Sequence, residues 1–388
     1  MPDHTPKLTD HDVLRHTRTL LQAHLPLHAD GSVCTTRDLL QVLLGVAVNQ
    51  GTIEAICADL LGTPNPETIR RYLNAQLRVD ALPALLDQVN AALAAEIPTW
   101  VWSAARDVAI DFHDRPYYGT LCQDEGLWVR GEAKAGTTRF YRIATAYVML
   151  AGMRVTLALH FVRPEDTPRS VLQHLLERLE ELSLRPKRLF LDKGFAGTAV
   201  LRFLMQRDQP ALIACPLRGK RGGTRALCRG RGSYRTRYRF TDAAGDPVEV
   251  ELAVCRVVTT AKRTGRMERH ANWLIFILVG LALPPQQARR LYRKRFGIES
   301  SYRCAGQVLG WTTARNVAYR FLLLALSFIL LNVWLHLRWC WVQVPRRGRR
   351  WLDTQRFALS RLIAFVRRAL EQHYGFVHEI VALVAPRL

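Results

Sequence analysis

Residues 107–114 read DVAIDFHD and residues 187–195 read KRLFLDKGF. Each contains a short apolar run that ends in an aspartate, Asp111 in the first and Asp192 in the second. Runs of this length, bounded by charge and glycine, are the pattern of buried strands. A single strand-end aspartate serves a turn as readily as a reaction, and Asp114, just before Arg115 and Pro116, is expected to serve one. Two of them in the same local setting are harder to assign to turns. Gly194, behind Asp192, permits a tight exit from its strand toward a following helix.

Strand patterns continue outward from these runs over Tyr141 to Leu150 and Arg154 to Val162. A helix is expected from Thr167 to Leu182, with Pro168 in its first turn, and another from Phe195 to Gln206, followed by a strand from Ala211 to Cys215. Three strands, then helix, strand, helix, strand, predict an α/β fold: a mixed sheet in which the first and fourth strands lie side by side. This is the ribonuclease H-like order. It brings Asp111 and Asp192 to one place.

A third acid has a different setting. In YRKRFGIESSYR, at about 100° per residue, Tyr292, Arg295, Glu299 and Arg303 fall on one stripe of a helix. A phenol and guanidinium groups flanking an acid make a face that can hold phosphate oxygens while the acid holds a metal. An exposed ladder of ion pairs has the same spacing. Gly297 inside the segment costs a helix about 1 kcal/mol relative to alanine, which points to a close neighbour or a local break. Three carboxylates without histidine or cysteine suit Mg²⁺ or Mn²⁺, hard cations that share their shell with water and phosphate.

The 388 residues carry 55 Lys and Arg against 33 Asp and Glu, a net charge of +22, which calls for a polyanionic partner. A genome rich in G and C would also enrich arginine. The excess concentrates between Pro216 and Thr241, where Arg218, Lys220, Arg221, Arg225, Arg229, Arg231, Arg235, Arg237 and Arg239 meet five glycines and no acid. Such a segment is solvated and mobile unless it lies on an anion. Strand patterns at Tyr234 to Phe240, Val248 to Val258 and Trp273 to Val279 make residues 216–281 a β-rich basic insertion. Helical periodicity then resumes at Pro284.

Residues 1–104 read as helical. A helix from Ile53 to Leu61, a Gly62-Thr-Pro-Asn-Pro turn and a second helix bearing Arg70 and Arg71 have the outline of a helix-turn-helix, in which Arg70 and Arg71 would face DNA. A helical hairpin in a bundle has that outline too. Phe321 to Leu335 is strongly apolar, but it is short of the ~20 residues needed to cross a bilayer and contains Ser327 and Asn332. A buried core helix is expected, with no membrane role. The eight cysteines form no CxxC pair, which argues for reduced thiols in a cytosolic compartment and against structural zinc. His113, His160 and His270 have no metal-binding spacing. No secretory signal is visible at the start.

Tyr292-x2-Arg295-x3-Glu299 resembles the first three positions of the Tyr-x2-Arg-x3-Glu-x6-Lys signature of DDE transposases of the insertion sequence four group. AIDFHDRPYYG and LDKGF resemble that group's two aspartate motifs, and the resemblance runs from about Ala109 to Asn332. It implies a ribonuclease H-like core whose triad Asp111, Asp192 and Glu299 holds two divalent ions, with Tyr292 and Arg295 positioning a phosphate. It further implies a prokaryotic transposase, nucleoid-associated in the cytoplasm, acting as a homodimer or larger oligomer on double-stranded DNA. That DNA comprises terminal inverted repeats and a target. The signature lysine is replaced here by Gly306, and Arg303 and Gln307 are the neighbours able to stand in for it. The expected segments are a helical DNA-binding region (1–104), a split catalytic core (105–215 and 282–335), the insertion (216–281) and a C-terminal helical region (336–388).

Overall fold

The computed structural model describes residues 6–379 apart from 103, 119–126, 151–152, 220–221, 264–265, 347–348 and 354. The chain forms two compact units, one of residues 1–97 with 301–388 and one of residues 98–300.

The first unit begins with α1 (Asp10–His24), α2 (Thr36–Val48), α3 (Ile53–Asp59), α4 (Pro66–Gln76) and α5 (Leu82–Ala95). Side chains of Thr9, Thr35, Thr52 and Asn65 cap the first four by accepting backbone N–H groups, which fixes where each starts. The helix-turn-helix outline is present as α3, a turn and α4. Its turn is tied to the chain's C-terminal part, because the Gly62 N–H donates to Tyr374 O and the Leu61 N–H to Gly375 O.

The second unit opens with α6 (Thr99–Trp102) and is built on one sheet. Its strands are β1 (Arg106–Pro116), β2 (Val129–Lys134), β3 (Thr137–Leu150), β4 (Met153–Val162), β5 (Pro186–Leu191), β6 (Ala211–Cys215), β7 (Tyr234–Thr241), β8 (Pro247–Arg263) and β9 (Arg266–Val279). The order is β2-β3-β1-β5-β6-β9-β8-β7, with β4 also on β3. β1, β5 and β6 run parallel and β3 runs antiparallel to β1. This is a mixed α/β sheet of ribonuclease H type. Val108, Ala109 and Ile110 of β1 and Leu189, Phe190 and Leu191 of β5 are wholly buried, as central parallel strands covered on both faces require. One covering helix is α7 (Pro168–Glu181), capped by Thr167, and α8 (Thr198–Gln206) connects β5 to β6.

The sheet shows details that the sequence reading did not contain. β2 was not expected, since VRGEAK has almost no apolar residues. The strands of the β-rich insertion continue the main sheet, because β9 pairs with β6 from Ala211↔Val279 to Cys215↔Ile275. β1 does not stop at Asp111. Its parallel ladder with β5 ends at Ile110↔Leu191, but its antiparallel ladder with β3 continues to Pro116↔Phe140. Asp114 therefore serves no turn, and lies opposite Arg142 with bonds of 2.6 and 2.9 Å.

After β9 come α9 (Pro285–Arg293), a single 3₁₀ turn at Lys294–Phe296 and α10 (Gly297–Gly306). The expected single stripe is thus two helices joined by a tight turn. The first unit is completed by α11 (Val317–Trp341), the hairpin β10 (Gln343–Arg346) and β11 (Arg349–Leu352), and α12 (Leu359–Tyr374). α11 is a buried core helix, and its Asn332 Nδ2 donates to Leu93 O of α5. It groups with the N- and C-terminal helices and not with the sheet unit that residues 282–335 were expected to complete.

Candidate active site

Asp111 and Asp192 each stand one residue beyond the last rung of the β1–β5 ladder, Ile110↔Leu191. Two carboxylates therefore leave neighbouring parallel strands at the same level, beyond the carboxyl end of β5. Crevices outside the carboxyl ends of parallel strands are where open α/β sheets bind ligands. The Phe112 N–H donates to Asp111 Oδ1 at 3.0 Å and the Gly194 N–H to Asp192 Oδ1 at 2.8 Å. A Cβ on Gly194 would come within 3.0 Å of that same oxygen, so glycine keeps the carboxylate in place. Phe112, next to Asp111, and Phe195, three residues after Asp192, stack with centroids 4.6 Å apart.

The environment is hostile to two negative charges. Burial pushes the Asp111 carboxyl up to about 7, aided by the charges of Asp192 and Glu299 and opposed by Arg295 and the Phe112 N–H. Burial also raises Asp192, again against the pull of Arg295. The answering charge is Arg295, whose Nη2 lies 2.6 Å from Asp111 Oδ1 while its Nε has no partner among the described residues. Burial acts against the charge of Arg295, but Asp111, Tyr292, Asp192 and Tyr147 together outweigh it and the guanidinium is held more firmly protonated than usual.

The 3₁₀ turn aims Arg295 inward, and two hydroxyls hold the surrounding chain. The Tyr147 OH donates to Arg295 O at 2.9 Å, and the Tyr292 OH donates to Leu191 O at 3.1 Å. Tyr292 is buried, packs on Phe276 and lies under the Arg295 guanidinium. It does not present its phenol to a ligand as the stripe suggested. It holds the residue before Asp192. The reason is the break at residues 294–296, which removes Tyr292 from the helical face that carries Glu299.

Glu299 is exposed in the first turn of α10, close enough for its charge to raise Asp111. Among the described residues, the closely spaced groups suited to a metal are His16, Glu96, His336 and His160, Asp166, His174. The three acids are therefore a pair plus a neighbouring acid, not a closed cluster. Their all-oxygen chemistry still fits Mg²⁺ or Mn²⁺.

The remaining sequence candidates are scattered. Arg303 is exposed further along α10. Arg70 is engaged by Glu54 and Glu67, while Arg71 is exposed beside the Tyr72 ring. Arg218 is exposed in a loop with a defined shape: Thr224 Oγ1 accepts the Arg218 N–H and donates to Pro216 O. Gly219 and Gly223 adopt left-handed conformations there, with no space for a Cβ. Lys220 and Arg221 lie outside the described residues. Arg235 and Arg237 are paired with Glu251 and Glu249 of β8, acids that the linear sequence places outside the basic segment. Arg338 is buried, with its guanidinium over the Trp334 ring. His113 is half-buried, and desolvation, aided by the charge of Arg115, pushes it down to about 4. Sequence reasoning missed Tyr147 and Arg142, which reach the site across strand pairs that only the fold reveals.

The family described as "Transposase DDE domain" matches residues 102–334. The chain belongs to the DDE transposase family. No curated protein matches it. Among solved structures, this transposase-family chain is similar to the piggyBac transposase in a synaptic complex with hairpin DNA. The TM-score is 0.55 at 9% identity, covering 93% of this chain and 76% of that one. At that identity the likeness is one of fold.

Proposed function

We propose that this chain is an active DNA transposase of the insertion sequence four type, cutting at the ends of a mobile element and joining the freed ends to target DNA. The observation that carries the reading is the pair of raised carboxylates, Asp111 and Asp192, at one level of adjacent parallel strands. Asp111, Asp192 and Glu299 would hold two Mg²⁺ or Mn²⁺ ions. When bound, such ions supply Lewis acidity toward a phosphodiester and its attacking hydroxyl.

The chain's own groups do the positioning. Tyr292 fixes Leu191 and with it the start of the Asp192 turn, and Tyr147 fixes the main chain of Arg295. Arg295 neutralises Asp111 before metal arrives. Released from that pair, it would face a phosphate oxygen. The complex of the similar piggyBac structure contains hairpin DNA, which supports duplex ends as the substrate class. The net charge of +22 supports the same partner. Exposed Arg218, Arg71 and Arg303 are the candidate phosphate contacts, and we expect a dimer or larger assembly to hold two ends together.

Labelled duplex carrying the gene's own inverted flanks, incubated with the protein and Mg²⁺ in the presence of a plasmid, tests the reading. Insertion of the label into the plasmid supports it, and cleavage without joining indicates a nuclease. A second reading, a DNA-binding descendant without catalysis, is favoured by Gly306, which stands where the signature has lysine and faces open space. Binding of the flanks with no Mg²⁺-dependent product would establish that alternative.

A further inference from the structure

Glu96 is only 4% exposed and follows the last turn of α5, where its main chain caps the helix. Both facts are unfavourable for an anion, because the low dielectric resists the charge and the negative end of the helix dipole adds to it. Two imidazoles from distant parts of the chain converge on its carboxylate. His16 of α1 places Nε2 3.1 and 3.2 Å from the two oxygens. His336 of α11 places Nδ1 3.7 Å from Oε2 and 3.3 Å from the Glu96 main-chain oxygen. The two rings stack with centroids 5.5 Å apart, and Cys340 Sγ lies 3.5 Å from His336 Nε2.

We propose that His16, Glu96 and His336 form a site for a borderline divalent transition ion, Zn²⁺ in first place, separate from the carboxylate centre of the sheet unit. Two imidazole nitrogens and a carboxylate are a common zinc donor set. Ligands about 2.0–2.1 Å from a tetrahedral ion lie about 3.3 Å apart, and these separations bracket that figure. On binding, the His336 ring would exchange its contact with the Glu96 carbonyl for the ion and leave its Nε2–H facing Cys340. Such an outer hydrogen bond orients a ligating imidazole. The ion would fasten α1, the end of α5 and α11, with Glu96 lying 80 residues from His16 and 240 from His336, and so clip together the two chain segments of the helical unit.

The other histidine group is a poorer candidate. Asp166 there already accepts the Arg163 N–H at 2.8 Å and bonds Ser170 and His160, so it is satisfied as a loop acceptor. Among the described residues, Glu96 has only the two histidines.

The test is zinc competition against a chromophoric chelator, using metal-stripped full-length protein in the Asp111→Asn background so that the carboxylate centre is weakened. One equivalent of Zn²⁺ is expected to bind, and Co²⁺ in its place should give visible absorption bands of low-coordinate, nitrogen-ligated metal. His16→Gln with His336→Gln should weaken zinc binding by at least about 100-fold with unchanged circular dichroism. If that variant fails to fold, Glu96→Gln removes the charge alone and should show the same loss. Equal zinc uptake by these variants and the parent, or loss in His160→Gln with His174→Gln instead, would overturn the proposal. No uptake by the parent would leave a plain ion pair and overturn it equally.

Discussion

Asp38 in the helical unit and Asp111 in the sheet unit are both partly buried aspartates beside apolar runs, yet their surroundings do opposite things to their charge. Asp38 is the third residue of α2, bonded by the Thr35 N–H at 3.0 Å, the Thr35 hydroxyl at 2.6 Å and the Tyr374 hydroxyl at 2.8 Å. Burial acts against its charge, but those donors outweigh it and hold the carboxyl below its usual range. Asp111 is pushed to about 7, with a guanidinium and one backbone N–H as its support and a second buried carboxylate beside it. A structural acid is surrounded by fixed donors that belong to it. A site acid is left dependent on a charge that can be exchanged, and that distinction separates the two without reference to ancestry.

The largest effect tests that distinction directly. Asp111→Asn and Asp192→Asn should each lower Mg²⁺-dependent cleavage of flanking DNA at least about a thousandfold, the equivalent of roughly 4 kcal/mol. Binding of the same DNA measured without divalent ions should persist. Asp38→Asn should leave cleavage nearly unchanged and lower stability by about 1 kcal/mol through the weakened cap. Full cleavage by either site variant, in a folded protein, would remove the pair from the chemistry.

Arg295 sharpens the comparison. Removing one partner of a buried ion pair costs about 3 kcal/mol, because the other charge is left unmatched. Arg295→Ala should therefore lower the metal-free unfolding midpoint, and millimolar Mg²⁺ should restore more stability to this variant than to the parent. An equal Mg²⁺ gain in both proteins would mean that the guanidinium is not standing in for a cation.

The pH dependence of stability should run in opposite directions at the two aspartates. The folded state raises the Asp111 carboxyl, so folded protein binds more protons than unfolded between about pH 4 and pH 7, and this group's contribution diminishes as pH rises through that window. Asp38 is lowered, so its contribution is present above the ordinary carboxyl value and disappears as pH falls below it. In chelator, Asp111→Asn should be less destabilising at pH 8 than at pH 5 by at least about 1 kcal/mol, read from denaturant midpoints. The Asp38→Asn penalty should instead shrink toward pH 3.

Much of this contrast could be read from the chain, and its limits have a physical cause. Asp111 and Asp192 announced themselves because buried parallel strands are apolar throughout, so a charge at the end of the run stands out. The start of α7 was equally visible, with Thr167 followed by Pro168. What could not be read were contacts made between segments far apart in sequence. Nothing in the spacing of Tyr292 and Arg295 says that one bonds Leu191 and the other Asp111, and the 3₁₀ turn that carries Arg295 leaves only Gly297 as a trace. β2 is too polar to show a period, and the insertion's membership of the main sheet depends on β9 reaching β6. His16 and His336 come from two helices and Glu96 from the end of a third, so a search for local ligand spacing passes over them.

The smallest effect concerns the basic segment, where the same question of owned against exchangeable partners arises. Arg235 and Arg237 sit on the exposed face of β7 beside Glu251 and Glu249. Arg218, Arg225, Arg229 and Arg231 are exposed in the preceding loop, and their side chains have no acidic partner among the described residues. If that loop follows a DNA backbone, neutralising all four should reduce the slope of log affinity against log salt by up to about 0.9 for each phosphate that is no longer neutralised. Neutralising Arg235 and Arg237 should change it less, because each gives up an internal pair along with any external one. Equal changes from the two sets would mean that the cross-strand glutamates give way to DNA freely, and that the arginines of β7 belong to the binding surface as fully as those of the loop.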